Sequence, residues 1–263
     1  MLYSNNHTID SLTARFVRRV ASDLRALGVR RGDMLLVHSS LRAMGRVPGG
    51  PETVIQGILR ALGPEGVLMM PALSYARVSK WQPVFDLLKT PSNVGAIPEY
   101  FRRRPNTLRS IHPTHSVCAV GPQARDILRF HHLDHTPVGP RSPFHLLAER
   151  EGRILMIGCG LCPNTSMHGV EELVEPPYLF EPDSATFQII LPSGERSPMP
   201  LLPHNFCGWK QRYDRLADHL GPRDLRQGNV LCAWSYLIHA PAMWEKALDV
   251  LRRDPLYFVD EIL

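Results

Sequence analysis

Arg153–Ile154–Leu155–Met156–Ile157–Gly158, followed after a short loop by Thr165–Ser166–Met167–His168–Gly169–Val170–Glu171, decides how this chain is read. The apolar run predicts a buried strand, and the segment after the loop predicts the start of a helix. A strand that leads into a helix places side chains in the crevice at the carboxyl edge of a sheet, where α/β proteins bind ligands. His168 and Glu171 stand three residues apart, on one face of that helix. The carboxylate can fix the tautomer of the imidazole and stabilise its protonated form, as a general base requires. Solvated helices carry the same spacing, so the pair alone leaves a plain surface helix open.

The 263 residues allow one large α/β domain or two small ones. At 44% hydrophobic and 21% charged, the composition can bury a core and is not that of a disordered chain. No apolar run approaches a membrane span; Val67–Leu68–Met69–Met70–Pro71–Ala72–Leu73 is strand-sized. Residues 1–10 lack a basic start and an apolar stretch, so no secretory signal is expected. Five cysteines, an odd number, fit a reducing cytoplasm better than a disulfide framework. The net charge of +5 suits an anionic ligand. Its basic residues lie in short clusters without interleaved aromatics, which gives nucleic-acid binding no support.

Working outward, residues 12–27 carry Leu12, Phe16, Val20, Leu24 and Leu27 at helical spacing, with Gly28 as a stop. Strands are expected at residues 34–38, 67–70, 116–120 and 154–157. Helices are expected from Pro51 to Gly63 and over residues 94–103 and 123–131. Residues 74–93 read as irregular. Further on, residues 185–191 and the stretch after Pro192–Ser193–Gly194–Glu195 read as a hairpin. Residues 209–220 and 241–253 read as helices around a strand near 230–233. This alternation predicts a single α/β/α sandwich domain over residues 1–263, with a central mixed, mostly parallel sheet.

Several segments carry chemistry. His38–Ser39–Ser40–Leu41 sits at a strand end before a glycine-rich turn ending in Gly49–Gly50, which can present N–H groups to a phosphate or a carbonyl oxygen; a plain strand-to-helix connection fits equally. Gly45 to Gly50 lacks the Lys–Ser/Thr end of a nucleotide-binding P-loop, and Gly158–Cys159–Gly160 lacks the third glycine of a dinucleotide fingerprint. Ser92 or Asn93 is expected to cap the helix over 94–103. Arg109–Ser110–Ile111–His112–Pro113–Thr114–His115–Ser116 is dense in donors, and Arg109 can fork onto a phosphate. Cys159–Gly160–Leu161–Cys162 invites a thiol–disulfide or zinc reading, although it has no second cysteine pair. His131–His132–Leu133–Asp134–His135 fits no familiar ligand spacing and is better read as a solvated loop, so no metal is expected.

The order of these segments resembles the aminoglycoside 3-N-acetyltransferase family. The resemblance rests on His38–Ser39–Ser40–Leu41 with Gly49–Gly50, Thr90–Pro91–Ser92 with Gly95–Ala96–Ile97–Pro98–Glu99, Arg109–Ser110 with His112–Pro113 and His115–Ser116, Gly139–Pro140 with Ser142–Pro143, and Thr165, His168 and Glu171. It runs from about residue 12 to the C-terminus. It implies a fold unlike the other common acetyltransferase fold, acetyl-coenzyme A as co-substrate, and direct transfer to a small-molecule amine. By position, His168 would be the general base and Glu171 its partner. His38, Ser39, Ser40 and Leu41 would line the thioester end, while Ser92, Arg109, Ser110, His112, Pro113 and Ser116 would hold the rest of the cofactor. Tyr75, Asp86, Glu99 and Glu172 are candidates for the acceptor side. The oligomeric state is left open, with a homodimer compatible.

This chain departs from the family pattern on the acceptor side. Ala72 stands where the family usually has Thr, and residues 74–86 carry Arg77 and Lys80 where aminoglycoside-binding members tend to be acidic. A biosynthetic or peptide-like amine is therefore as reasonable an acceptor as an aminoglycoside. The competing readings are a thiol–disulfide or zinc protein built on Cys159 and Cys162, and a non-catalytic binder of coenzyme A or an acyl carrier.

Overall fold

A computed structural model describes residues 11–262, so the reading of residues 1–10 lies outside the described residues. In chain order the strands are β1 (Met34–Ser39), β2 (Val67–Pro71), β3 (Val84–Asp86), β4 (Leu108–Arg109), β5 (Val117–Val120), β6 (Arg153–Ile157), β7 (Ala185–Ile190), β8 (Arg196–Leu201), β9 (Trp209–Gln211), β10 (Leu225–Val230), β11 (Ala233–His239) and β12 (Val259–Glu261). The helices are α1 (Ser11–Leu27), α2 (Gly50–Leu62), α3 (Ala96–Arg103), α4 (Ala124–Leu128), α5 (Pro143–Glu149), α6 (Ser166–Glu172) and α7 (Ala240–Arg253).

Seven strands form the main sheet in the order β10-β11-β6-β1-β2-β5-β4. β6, β1 and β2 run parallel at its centre, with Leu36 paired to both Ile154 and Met69. The flanking pairings are antiparallel, and five of the seven strands point one way. The central strands are apolar throughout because both faces are covered. Leu35, Val37, Leu68, Met70, Leu155 and Ile157 pack towards α1, α2 and α3. Their alternates Leu36, Val67, Met69, Ile154 and Met156 pack towards α4, α5, α6 and α7. This is the expected α/β/α arrangement. A smaller sheet, β3-β7-β8, closes one end around Phe85, Phe187, Ile189 and Met199.

The structure corrects several boundaries. The strand expected near 230–233 is two strands: Val230 ends β10 and Ala233 begins β11, with Leu231 and Cys232 as the turn between them. Leu231 adopts a φ of 54° there, and its N–H donates to Asp23 Oδ2 at 2.9 Å. The helix expected over 209–220 is β9, paired with β12, and then a 3-10 segment, Tyr213–Asp218. Long-range pairing overrides the local apolar spacing there. The helix expected over 123–131 stops at Leu128 and is followed by a 3-10 turn, His131–Leu133. The irregular stretch 74–93 contains β3, recruited by β7. α5, which the sequence reading missed, starts at Ser142, whose hydroxyl accepts from the N–H of Phe144.

At the end of β6 the chain must turn sharply to reach α6. Gly158 makes that turn at a φ of +66°, and a Cβ there would lie 2.4 Å from Ala43 Cβ. A left-handed residue with a side chain costs about 1–2 kcal/mol, and overpacking a fixed contact typically adds about 1–3 kcal/mol. Gly158→Ala is therefore expected to lose about 2–5 kcal/mol in urea unfolding; an unchanged midpoint would contradict this account of the turn.

Candidate active site

α6 begins beyond the carboxyl end of β6, and its first turns carry His168 and Glu171. Glu171 is fully buried. Its Oε1 accepts from Tyr178 Oη at 2.8 Å, and its Oε2 accepts from Tyr213 Oη at 2.7 Å and from His168 Nδ1 at 3.0 Å. Burial and the nearby carboxylate push both tyrosine hydroxyls well up, so they remain donors. A carboxylate can only accept, which places the proton of the neutral His168 ring on Nδ1. Nε2 is then left as the basic nitrogen.

His168 lines a cavity of about 600 Å³. His38 and Ser39, at the end of β1, form part of its wall, with Pro71, Leu73, Val94 and Pro98. His38 Nε2 and Ser39 Oγ are buried without a hydrogen-bond partner among the described residues. Burial, with His168 nearby, pushes the His38 imidazole down to about 3. Ser40 is less available than expected: its backbone N–H is taken by Ile157 O at 2.8 Å. Leu41 packs on the α1–α2 core. Thr165, Thr114 and His115 also line the cavity.

The remaining expected cofactor residues are committed to the protein itself. Arg109, expected to fork onto a phosphate, donates to Ser116 Oγ and to the carbonyls of Leu87, Thr90 and Ala72. Ser110 Oγ bridges the N–H of Val117 and His131 Nδ1. His112 is fully buried and stacks on His131 with centroids 4.6 Å apart. The Pro113 carbonyl accepts from Ser74 Oγ. Ser92 does not cap α3, which starts from Gly95 at a φ of 121°. Its N–H donates to Glu99 Oε2.

On the acceptor side, Tyr75 lines the cavity, but Asp86, Glu99 and Glu172 do not. Asp86 accepts from the N–H groups of Leu88 and Lys89, and Glu99 is paired with Arg102 at 2.7 Å. Glu172 accepts from the Val138 N–H and from His204 Nε2, each at 2.7 Å. Burial pushes the Glu172 carboxyl up to about 7. Sequence reasoning missed His204, whose ring lies 5.2 Å from that of His168, and missed Tyr178 and Tyr213. Tyr213 lies 45 residues from His168, in a segment misread as helix.

The cysteine pair lines the cavity as well, and both thiols are free. Burial pushes the Cys159 thiol up to about 12, the opposite of what a redox thiol needs. Cys162 donates to Asp214 Oδ1 at 3.2 Å. Among the described residues no group of three or more His, Cys, Asp or Glu is arranged to hold a metal, and no helix is long and apolar enough to cross a membrane.

His131, expected in a solvated loop, is fully buried, and burial pushes its imidazole down to about 3. A lowered folded-state value means stability that is present above the unfolded value of 6.5 and lost as pH falls towards about 3. Between pH 6.5 and pH 5 such a group withdraws about 2 kcal/mol. Urea unfolding at pH 7 and pH 5 is therefore expected to show a marked acid loss, which His131→Gln reduces by about 2 kcal/mol. An identical loss in the variant would contradict the assignment.

The chain matches the family described as aminoglycoside 3-N-acetyltransferase over residues 36–252. It is 35% identical over 235 residues to aminoglycoside N(3)-acetyltransferase IV from a Salmonella species, covering 89% of this chain and 86% of that protein. It is 37% identical over 177 residues to aminoglycoside N(3)-acetyltransferase VIII from Streptomyces fradiae. That match covers 60% of this chain and spans only 61% of the relative's length. The fold is similar to a solved structure of AAC-IIIb with CoASH bound, with a TM-score of 0.77 and 27% identity, over 89% of this chain and 95% of that one. With the fold, the His168–Glu171 pair and these matches together, the chain belongs to the aminoglycoside 3-N-acetyltransferase family.

Proposed function

We propose that this protein moves the acetyl group of acetyl-coenzyme A directly to a primary amine of a small-molecule acceptor, with His168 as general base. One observation carries the proposal: a fully buried carboxylate, Glu171, holds the Nδ1 side of a cavity-lining imidazole. This leaves Nε2 to take a proton from an attacking amine. The amine nitrogen bonds to the thioester carbonyl carbon and its N–H proton passes to His168 Nε2. The carbon–sulfur bond then breaks, and the departing sulfur takes up the proton. Glu171 stabilises the imidazolium between these two transfers.

The unpartnered polar atoms of His38 and Ser39 suit a ligand at the end of β1. With the Ser40 N–H engaged, the Ser39 hydroxyl is the better donor for the oxyanion that forms at the thioester carbonyl. The CoASH complex of AAC-IIIb supports coenzyme A chemistry on this fold. No acyl-enzyme is needed, so Cys159 and Cys162 have no part in the step, and this reading places the reaction in the cytoplasm.

His168→Ala is expected to lower kcat by roughly 10²–10⁴ while calorimetry still detects coenzyme A binding; full activity in this variant would refute the base. Release of free thiol from acetyl-coenzyme A with an amine panel separates an enzyme from a non-catalytic binder. Cys159→Ser is expected to keep its activity, and a complete loss would revive thiol chemistry.

A further inference from the structure

We infer that His204 is a second imidazole that binds the acceptor. Its Nδ1 accepts a hydrogen bond from an ammonium or hydroxyl group next to the amine that His168 deprotonates, so this rests on the acetyl-transfer reading above. Among the described residues lining the cavity, three carry a buried polar atom with no hydrogen-bond partner: His38, Ser39 and His204. The first two stand at the end of β1, where the acetyl-transfer reading sets the thioester. The third atom is Nδ1 of His204. A buried acceptor left unpaired loses the hydration it has in the unfolded chain and gains nothing in return, so such an atom at a cavity wall marks the place of a ligand group.

The other ring nitrogen decides what Nδ1 can do. Nε2 lies 2.7 Å from Glu172 Oε1, which also accepts from the Val138 N–H. A carboxylate oxygen can only accept, so the ring proton sits on Nε2 and Nδ1 keeps its lone pair. The backbone on either side is pinned: His204 bridges to Phe180, the Asn205 N–H donates to Leu179 O at 2.7 Å, and the Glu181 N–H donates to Pro203 O at 2.9 Å. The rings of His115, His168, Phe180 and Phe206 surround the imidazole, with centroids 5.2, 5.2, 5.5 and 5.4 Å away. None of them donates to Nδ1.

Two His–Glu pairs thus serve one cavity with opposite nitrogens bare, Nε2 on His168 and Nδ1 on His204. An acceptor with two neighbouring donors on one ring can engage both. Glu172 also brings negative charge to this point, since an ammonium on Nδ1 meets its carboxylate through one imidazole. Other nearby carboxylates are engaged: Glu181 with Lys80, and Asp214 with the cavity-lining Cys162 and with Arg212.

Two substitutions separate this role from packing. His204→Gln can keep a donor on Glu172 but loses the acceptor at Nδ1, whereas His204→Asn keeps an acceptor near Nδ1 and gives up the Glu172 contact. With gentamicin as acceptor, thiol release is expected to show KM raised about tenfold or more in His204→Gln with kcat little changed. His204→Asn is expected to restore most of that loss. A direct readout uses the unsubstituted protein, labelled with nitrogen-15 histidine and preloaded with coenzyme A, at pH 8, where Glu172 is mostly ionised. Gentamicin is expected to shift the His204 Nδ1 resonance and to move Nε2 little. An Nδ1 resonance unmoved at saturation, gentamicin that does not bind, or an unchanged KM in His204→Gln would overturn the inference. A shifted Nδ1 without thiol release would leave it standing and defeat the acetyl-transfer reading instead.

Discussion

A carboxylate with no exposure to water organises this protein's chemistry. Glu171 sits inside the fold and is tolerated there because three donors converge on it: two tyrosine hydroxyls and one imidazole N–H. A buried charge without such partners would be strongly destabilising. The donors come from three separated parts of the chain, α6, the loop after it, and the 3-10 segment beyond β9. Holding them together fixes the His168 ring against the cavity wall. The basic nitrogen is thus set by packing far from the reacting atoms.

The sheet supplies the other half of the site. β1 and β6 lie side by side at its centre, and their carboxyl ends deliver His38 and Ser39 on one side and the Gly158 turn on the other. α6 then carries two adjacent glutamates, each serving a different imidazole: Glu171 holds His168 and Glu172 holds His204. With both carboxylates so engaged, the space beside them is lined by Tyr75, Val78, Phe187 and Phe206 together with Ser39, Thr114, Thr165 and the Lys80–Glu181 pair.

Much of this was legible in the sequence where the physics is local. Strands buried on both faces announce themselves as continuous apolar runs, as in Ile154 to Ile157, and the spacing of His168 and Glu171 follows from helical geometry. What stayed hidden depends on contacts between distant segments. Nothing local marks Tyr213 as a partner of Glu171, and its surroundings imitate a helix until β12 pairs with β9. Arg109 illustrates the opposite error. Its donor-rich neighbourhood looks like a phosphate site, yet the guanidinium commits four of its five N–H donors to Ser116 and to three backbone carbonyls. Acidic residues likewise suggest cation binding until their turn-capping and ion-pair duties are known, as with Asp86 and Glu99.

The tautomer of His168 tests the account most directly. Nitrogen-15 NMR of histidine-labelled protein, assigned by comparison with a His168 variant and recorded where the ring is neutral, reports which nitrogen carries the proton. The hydrogen bond to Glu171 predicts a protonated Nδ1 and a bare Nε2. A ring protonated on Nε2 instead would contradict the claim that Glu171 prepares the base.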